Sequence, residues 1–153
     1  MDSIDIEILK LLQQNARVTA SQIANEVSLS VPAISERLKK LDSTGIIQKY
    51  TIILSAQKMK KNLVAYMFVS LKHPNYIEGF VALVEKENEI IECSYLAGDF
   101  DYLIKIITED TQSLEVVLNR IKTVPGVQKT KTIVTLSTVK NTYSIPPYEG
   151  MEI

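Results

Sequence analysis

The segment that most constrains this chain is residues 63–72, which read LVAYMFVSLK. Successive side chains along a strand point to opposite faces of a sheet, and here both alternating sets are mostly apolar. The pattern therefore predicts a strand that is covered on both sides. The unbroken apolar run within it, residues 63–69, is too short to cross a bilayer, so we expect no membrane as a partner.

The elements that follow this strand have the order βαββαβ. Asn75 is expected to cap a helix, and strands are predicted over residues 90–97 and 102–108. A second amphipathic helix and a turn then precede a last strand over residues 127–139. This order is typical of a ferredoxin-like domain, in which two helices cover one face of a four-stranded sheet. Because the first strand is apolar on both faces, we expect a second copy of the chain to cover the other face.

Composition excludes several classes of site in this 153-residue chain. One cysteine and one histidine allow neither an intrachain disulfide nor a Cys/His zinc cluster, so we expect no metal and no cofactor. Cys93 is expected to be a small core side chain. The single cysteine makes a reducing cytoplasm the simplest location. The acidic N-terminus lacks the basic region expected of a signal peptide. No catalytic motif is visible, so an enzyme is not expected.

The first third of the chain has the pattern of a helix-turn-helix. Two short amphipathic segments are followed by a break at residues 28–30, and a longer helix then begins with Ser30 as N-cap and Pro32 in its first turn. Small residues early in this last helix allow close approach to base edges, and later basic residues reach phosphates. The candidate residues for contact with double-stranded DNA are Ser30, Ala33, Ser35, Glu36, Arg37, Lys39 and Lys40. The alternative is a three-helix unit that packs against another protein and whose basic residues are only a solvated face.

Charge is distributed unevenly along the chain, in a way that suits this interpretation. Residues 1–61 hold nine Lys or Arg against six Asp or Glu, whereas the remainder is acidic. A basic N-terminal part suggests that only this part meets a polyanion. The acidic C-terminal part argues against an RNA-recognition motif, which shares the βαββαβ order but needs exposed aromatic residues in a basic setting.

Residues 19–47 closely resemble the DNA-binding domain of the Lrp/AsnC family of transcription regulators. The resemblance rests on the pattern T-x-x-x-I-A-x-x-V-x-L-S-x-x-A-I-x-x-R-L-x-x-L-x-x-x-G-I-I. It continues through GDFDYLIK at residues 98–105 and PGV at residues 125–127, to about Lys140. The resemblance implies an α+β protein with an N-terminal, winged-helix-like helix-turn-helix domain and a C-terminal ferredoxin-like regulatory domain. It also implies dimers that assemble further into octamers or similar rings.

The resemblance implies a site for a small effector, usually an amino acid, at the turn after the second strand of the C-terminal domain. An amino acid needs a carboxylate for its ammonium group and free N–H groups for its own carboxylate. The implied effector-binding residues are Gly98, Asp99, Phe100, Asp101, Thr132 and Val134, with Asp101 favoured as the acid. Turn formation between two strands is the alternative explanation for the Gly and Asp residues.

The expected organisation has four parts. Residues 1–46 form the helix-turn-helix domain, 47–62 a linking strand and hinge, 63–140 the regulatory and oligomerisation domain, and 141–153 an extended C-terminal tail. The expected function is DNA-binding transcription regulation coupled to an amino acid or related metabolite. Two alternatives stay open: an effector-independent architectural protein of the nucleoid type, and a metabolite-binding module or enzyme that does not act on DNA.

Overall fold

The computed structural model describes residues 1–148 and divides the chain into two compact units. The first unit contains Met1–Ile53 together with the chain from Lys140 onward, and the second is Leu54–Val139. The tail is thus grouped with the N-terminal residues although it follows the C-terminal domain in sequence.

Three helices build the first unit: α1 (Ser3–Gln14), α2 (Ala20–Glu26) and α3 (Val31–Ser43). Each begins at a side chain that accepts a hydrogen bond from a backbone N–H of the first turn, namely Asp2, Thr19 and Ser30. The helices pack around a core that excludes solvent almost completely and includes Ile8, Ile23, Ile34 and Leu41. A helix-turn-helix is therefore present, as expected.

The tail is held against the first helix of the same unit. The side-chain amide of Gln13, in the last turn of α1, donates hydrogen bonds to Ser144 Oγ at 3.0 Å and to the Ile145 carbonyl at 2.7 Å. Residues 135–148 contain neither helix nor strand. The last part of the expected tail, residues 149–153, lies outside the described residues.

The linking strand expected over residues 47–62 is not formed. Residues 48–55 have no regular structure, and a turn closed by a hydrogen bond from Lys61 N–H to the Ala56 carbonyl follows. A strand needs a neighbour for its N–H and C=O groups, and the sheet found in residues 1–148 does not include this segment. Ile52, Ile53 and Leu54 consequently remain exposed, at 78%, 56% and 62%.

The second unit has the expected ferredoxin-like βαββαβ order. Its elements are β1 (Leu63–Leu71), a single 3-10 turn (Pro74–Tyr76), α4 (Ile77–Lys86), β2 (Ile90–Tyr95), β3 (Tyr102–Thr108), α5 (Thr111–Lys122) and β4 (Val127–Val134). The strands form one antiparallel sheet in the order β2-β3-β1-β4. The inner face of the sheet packs on the two helices through side chains that include Met67, Ile104, Phe80, Val117 and Ile121, all fully buried.

The other face of the sheet lacks a covering layer in the described chain. Partners in the strand register share a face, which places on it Val64, Tyr66, Phe68, Leu103, Lys105, Ile107, Lys131 and Ile133. The side chains from the two central strands are only half-buried, and Ile133 is 46% exposed. The expectation that β1 is apolar on both faces is therefore met, and one of those faces is open.

Three local expectations about this unit are wrong. The last strand ends at Val134 instead of residue 139. Val134 pairs with Ala65, so β1, which begins at Leu63, has only two residues beyond that pair and cannot support a strand to residue 139. Asn75 does not cap α4; its N–H donates to His73 Nδ1 at 3.3 Å within the 3-10 turn. Cys93 is exposed because β2 lies at the edge of the sheet.

Candidate functional site

The exposed face of α3 carries most of the residues expected to contact DNA. Ser30, Ser35, Glu36, Lys39 and Lys40 are exposed, and Ala33 is half-buried. The two serines also have local roles, because Ser30 Oγ accepts from Ala33 N–H at 3.4 Å and Ser35 Oγ donates to the Val31 carbonyl at 3.0 Å. Capping at Ser30 and Pro32 in the first turn fix where the helix begins.

Lys39 and Lys40 are available for a polyanion. Neither ammonium group makes an ion pair or a hydrogen bond within residues 1–148. Lysines of this kind on an exposed helix face supply the sequence-independent part of DNA affinity, since each phosphate contact releases counterions. The structure therefore offers two uncommitted cations on the helix that the sequence singled out.

Arg37 differs from these two lysines, because its guanidinium group is already engaged. Its Nη1 donates to Asp5 Oδ1 at 2.6 Å and to both carboxylate oxygens of Asp2, at 3.0 and 2.8 Å. These contacts raise the pKa of Arg37, the hydrogen bond to Asp5 contributing most. The pKa of Asp2 is lowered, first by the backbone N–H of Asp5 and then by Arg37. Sequence reasoning missed this cluster because the acids lie more than thirty residues away from Arg37.

An open groove of about 610 Å³ lies beside this cluster. The residues that line it are Met1, Asp2, Asp5, Ala33, Glu36, Arg37 and Lys40. It joins the start of α1 to one side of α3, so this side of the helix carries mixed charge. Lys39 does not line this groove.

The turn expected to bind an effector is locked to the end of β1. Asp101 N–H donates to the Val69 carbonyl at 3.0 Å, and Asp101 Oδ2 accepts from Leu71 N–H at 2.6 Å. Ser70 Oγ donates to the Asp99 carbonyl at 3.3 Å. The acid favoured from sequence therefore has a structural bond, whereas the carboxylate of Asp99 makes no bond within residues 1–148.

Phe100 and a lysine that the sequence did not single out lie beside this turn. The ring of Phe100 is 5.4 Å from that of Phe68, on the open face of the sheet, and Lys129 Nζ lies 4.9 Å from its centroid. The only sequence signal for Lys129 would have been the register of β4 against β1, which pairs Lys129 with Ser70. A cation, an aromatic ring and a free carboxylate are thus grouped at this corner.

Thr132 and Val134 are not brought to this turn within one chain. Thr132 pairs with Met67 and Val134 with Ala65, whose side chains face the helices. At about 3.3 Å per residue, these positions lie roughly 10 and 17 Å along β1 from the level of Ser70. A single copy of the chain therefore does not assemble all six of the residues expected to bind an effector.

Other types of site are not found in the described part of the chain. No group of three or more His, Cys, Asp or Glu side chains is arranged to hold a metal ion within residues 1–148. None of the helices formed there has the length and apolar character needed to cross a membrane.

Comparison with known families covers both units. A family model described as winged helix-turn-helix DNA-binding matches residues 1–48, and one described as the Lrp/AsnC ligand binding domain matches residues 64–145. Among curated proteins, the HTH-type transcriptional regulator FL11 of Pyrococcus abyssi is 34% identical over 146 residues, which cover 95% of this chain and 96% of the relative. The leucine-responsive regulatory protein of Escherichia coli is also 34% identical, over 92% of this chain and 87% of the relative.

Solved structures give the same result. A transcriptional regulator from Neisseria meningitidis, in a complex with L-Met, has a TM-score of 0.90 and 34% identity over 95% of this chain and 96% of that one. AsnC of E. coli has a TM-score of 0.88 and 26% identity over 96% and 99% of the two chains. The ligand-binding family model alone covers more than half of the chain, and the helices, turns and sheet described above account for the match. The chain therefore belongs to the Lrp/AsnC family of helix-turn-helix, DNA-binding transcription regulators.

Proposed function

We propose that this regulator acts in the cytoplasm and recognises specific duplex sequences by placing α3 in the major groove. The observation that carries the proposal is the exposed face of α3, where Lys39 and Lys40 have no partner in the described chain. Ser35 and Glu36 lie on the same exposed side and are suited to base edges. Glu36 is suited to accept a hydrogen bond from a cytosine amine.

The test is a DNA-binding titration with the full-length chain. A preferred duplex is first selected from a random library, and its affinity is compared with that of a scrambled duplex at several salt concentrations. Sequence-specific binding predicts at least a thousandfold preference for the selected duplex at physiological salt. Equal affinities at every salt concentration would favour an architectural protein of the nucleoid type.

A pair of variants distinguishes DNA binding from a purely metabolic role. Lys39→Gln and Lys40→Gln should each weaken binding to both duplexes and reduce the salt slope by about 0.9 if each lysine contacts one phosphate. Lys122→Gln, in the last turn of α5 in the other unit, is the matched control and should change neither quantity. If both α3 variants bind DNA like the wild type, the helical unit serves assembly instead.

We further propose that the open sheet face joins two copies of the chain, and that dimers assemble into octamers or similar rings. The half-buried apolar side chains around Tyr66 and Phe68 support this, because a patch of that kind on a small domain normally meets a partner. A two-fold axis would also present two α3 helices to successive turns of DNA. Light scattering at micromolar concentration tests it, and a stable monomer would contradict it.

We propose an amino acid as the effector, bound where the turn formed by Gly98, Asp99, Phe100 and Asp101 of one copy meets another copy. The L-Met in the Neisseria structure supports the class of ligand. Since Thr132 and Val134 lie away from this turn within one chain, they belong to the proposed site only if a second copy contributes them. The carboxylate of Asp99 is free to pair with the ammonium group of the amino acid. Lys129, whose Nζ lies beside the Phe100 ring, is suited to pair with the carboxylate of the amino acid.

Calorimetry and light scattering with L-Met and a panel of other amino acids test this proposal. Asp99→Asn and Asp101→Asn should each weaken the ligand response while leaving binding to a selected duplex intact. Asn at position 101 keeps an acceptor for Leu71 N–H, so the turn is retained. If no amino acid releases or absorbs heat on mixing and none changes the mass of the assembly, control by such an effector is contradicted.

A further inference from the structure

We propose that Arg37 is a positioning residue that holds α3 against the start of α1, and that it does not contact DNA. The inference rests on the proposed function of α3 as the DNA-reading helix. It departs from the sequence expectation, which grouped Arg37 with Lys39 and Lys40 as a residue for phosphates or guanine edges. The three basic side chains differ in what surrounds them, and this difference carries the argument.

The first argument is the network around the Arg37 guanidinium group. Asp2 and Asp5 form the capping box of α1, in which each carboxylate accepts from the backbone N–H of the other residue, at 2.9 and 3.1 Å. Arg37 Nη1 bonds to the oxygens of both carboxylates. The Arg37 guanidinium group of α3 therefore binds both carboxylates of the capping box of α1, and these hydrogen bonds join the two helices.

The second argument is electrostatic. The side chain of Asp5 is only 8% exposed, and a carboxylate at that depth requires a cation or several hydrogen bonds. The two acids of the capping box also repel each other. Arg37 makes an ion pair to each of them, at 2.8 Å to Asp2 and 2.6 Å to Asp5. Moving Arg37 toward DNA would break its ion pairs with both carboxylates, so bound phosphate competes poorly for this side chain.

The third argument is the direction of Arg37 on its helix. Each helical residue advances about 100°, so Arg37 lies roughly 60° from Ile34 and 40° from Leu41 around the helix axis. Ile34 and Leu41 are buried in the core, and the Arg37 side chain is only 29% exposed. Lys39, by the same projection, lies well over 90° from Ile34 and is exposed. Arg37 therefore flanks the buried stripe that faces α1.

Neutralising Asp2 and Asp5 should change the affinity for DNA in the direction opposite to that expected from charge repulsion alone. Neutralising an acid near a DNA-binding surface normally raises affinity, because repulsion of phosphate is reduced. If Asp2 and Asp5 position α3 through Arg37, the variant Asp2→Asn/Asp5→Asn loses affinity for its selected duplex instead. Glu7→Gln is the matched control, since Glu7 is an exposed acid on α1 that pairs with Lys10, at 3.9 Å, and makes no ion pair with Arg37.

The experiment measures the affinity of the full-length chain for a library-selected and a scrambled duplex, by fluorescence anisotropy at several salt concentrations. We expect Arg37→Gln to lower the affinity for the selected duplex about tenfold, an effect typical of one coupled contact. The affinity for the scrambled duplex and the salt slope should stay close to those of the wild type. Asp2→Asn/Asp5→Asn should lower the same affinity, and the triple variant should lose no more than Arg37→Gln alone. Lys40→Gln should instead reduce the salt slope by about 0.9 on both duplexes.

Three results would overturn the inference. One is a reduction of the salt slope by Arg37→Gln equal to that by Lys40→Gln, which would make Arg37 a phosphate contact. Another is an increase in affinity when the two acids are neutralised. The third is a lower melting temperature with an unchanged ratio of selected to scrambled affinity well below that temperature, which is the result expected of a merely structural role.

The proposal can still be tested if the variants with several substitutions fold poorly. Asp2→Asn alone changes a side chain that is 52% exposed, and it should retain the fold while still lowering the affinity ratio. A wild-type chain that binds both duplexes equally would refute the proposed function first, and that outcome is visible before any variant is made. Failure of the proposed function and failure of this inference are therefore distinguishable.

Discussion

Gly126 is the position where a single added methyl group should most clearly damage the C-terminal domain. It lies between α5 and β4 with φ +89°, in the left-handed region. A Cβ built on it would lie 2.0 Å from Cγ of the Tyr76 ring and 2.4 Å from Cβ of the same residue. Its carbonyl also accepts a hydrogen bond from Lys72 N–H at 2.8 Å, so the backbone is held from the other side. Gly126→Ala therefore forces either the ring or the turn to move.

The loss can be estimated from two parts. An alanine in the left-handed region costs about 1–2 kcal/mol relative to glycine. Overpacking against the Tyr76 ring adds about 1–3 kcal/mol. We expect Gly126→Ala to lower the free energy of unfolding of this domain by about 2–5 kcal/mol. Gly45 allows the backbone part to be measured without the packing part. It has φ +75° and no atom within 4 Å of an added Cβ, so Gly45→Ala should show the backbone part alone.

Urea unfolding of the full-length variants, followed by circular dichroism at one fixed protein concentration, measures the loss. Tyr76→Gly removes every side-chain atom that the added methyl group would meet at Tyr76. Adding Gly126→Ala to Tyr76→Gly should therefore cost only the backbone part, measured against Tyr76→Gly alone. A Gly126→Ala variant within 0.5 kcal/mol of the wild type, or an equally large loss on the Tyr76→Gly background, would refute the reasoning.

Three further outcomes are expected. Phe80→Ala should destabilise the C-terminal domain by about 3–5 kcal/mol in urea unfolding, because Phe80 is fully buried beneath the sheet; a loss below 1 kcal/mol would contradict this. Asp2 has a lowered pKa in the fold, so its contribution to stability is present above its ordinary value of 3.8 and is lost as pH falls through the folded value. Acid titration of unfolding should therefore show a smaller loss below about pH 4 for Asp2→Asn than for the wild type. Tyr66→Glu, on the open sheet face, should dissociate copies of the chain in light scattering, whereas Val116→Glu, at a 49% exposed position of α5, should not.

The order of elements could be predicted from sequence because each helix and strand carries its own local signal. Ser30 before Pro32 marks the start of α3, and the apolar pairs along residues 63–71 mark β1. Burial periodicity and caps are properties of neighbouring residues, so no knowledge of the rest of the chain is needed. The βαββαβ order followed from these signals alone.

Contacts between distant residues could not be predicted in the same way. Residues 47–55 have strand-like composition, but a strand forms only beside a partner, and the described chain supplies none. Arg37 looked like Lys39 in the sequence, and only the acids at the start of α1 make their surroundings different. Thr132 and Lys129 are close neighbours in the sequence, yet the register with β1 places only Lys129 at the level of the turn after β2.

The bond between Gln13 and the tail has a consequence for synthesis on the ribosome. The three helices of the first unit leave the exit tunnel early, but the residues that bond to Gln13 are made 131 and 132 positions later. We therefore expect the three helices to fold first and to receive this segment only after residues 144 and 145 have been made. Closing so long a loop costs little more conformational entropy than closing a shorter one. The late synthesis of Ser144 and Ile145 therefore delays this contact more than it weakens it.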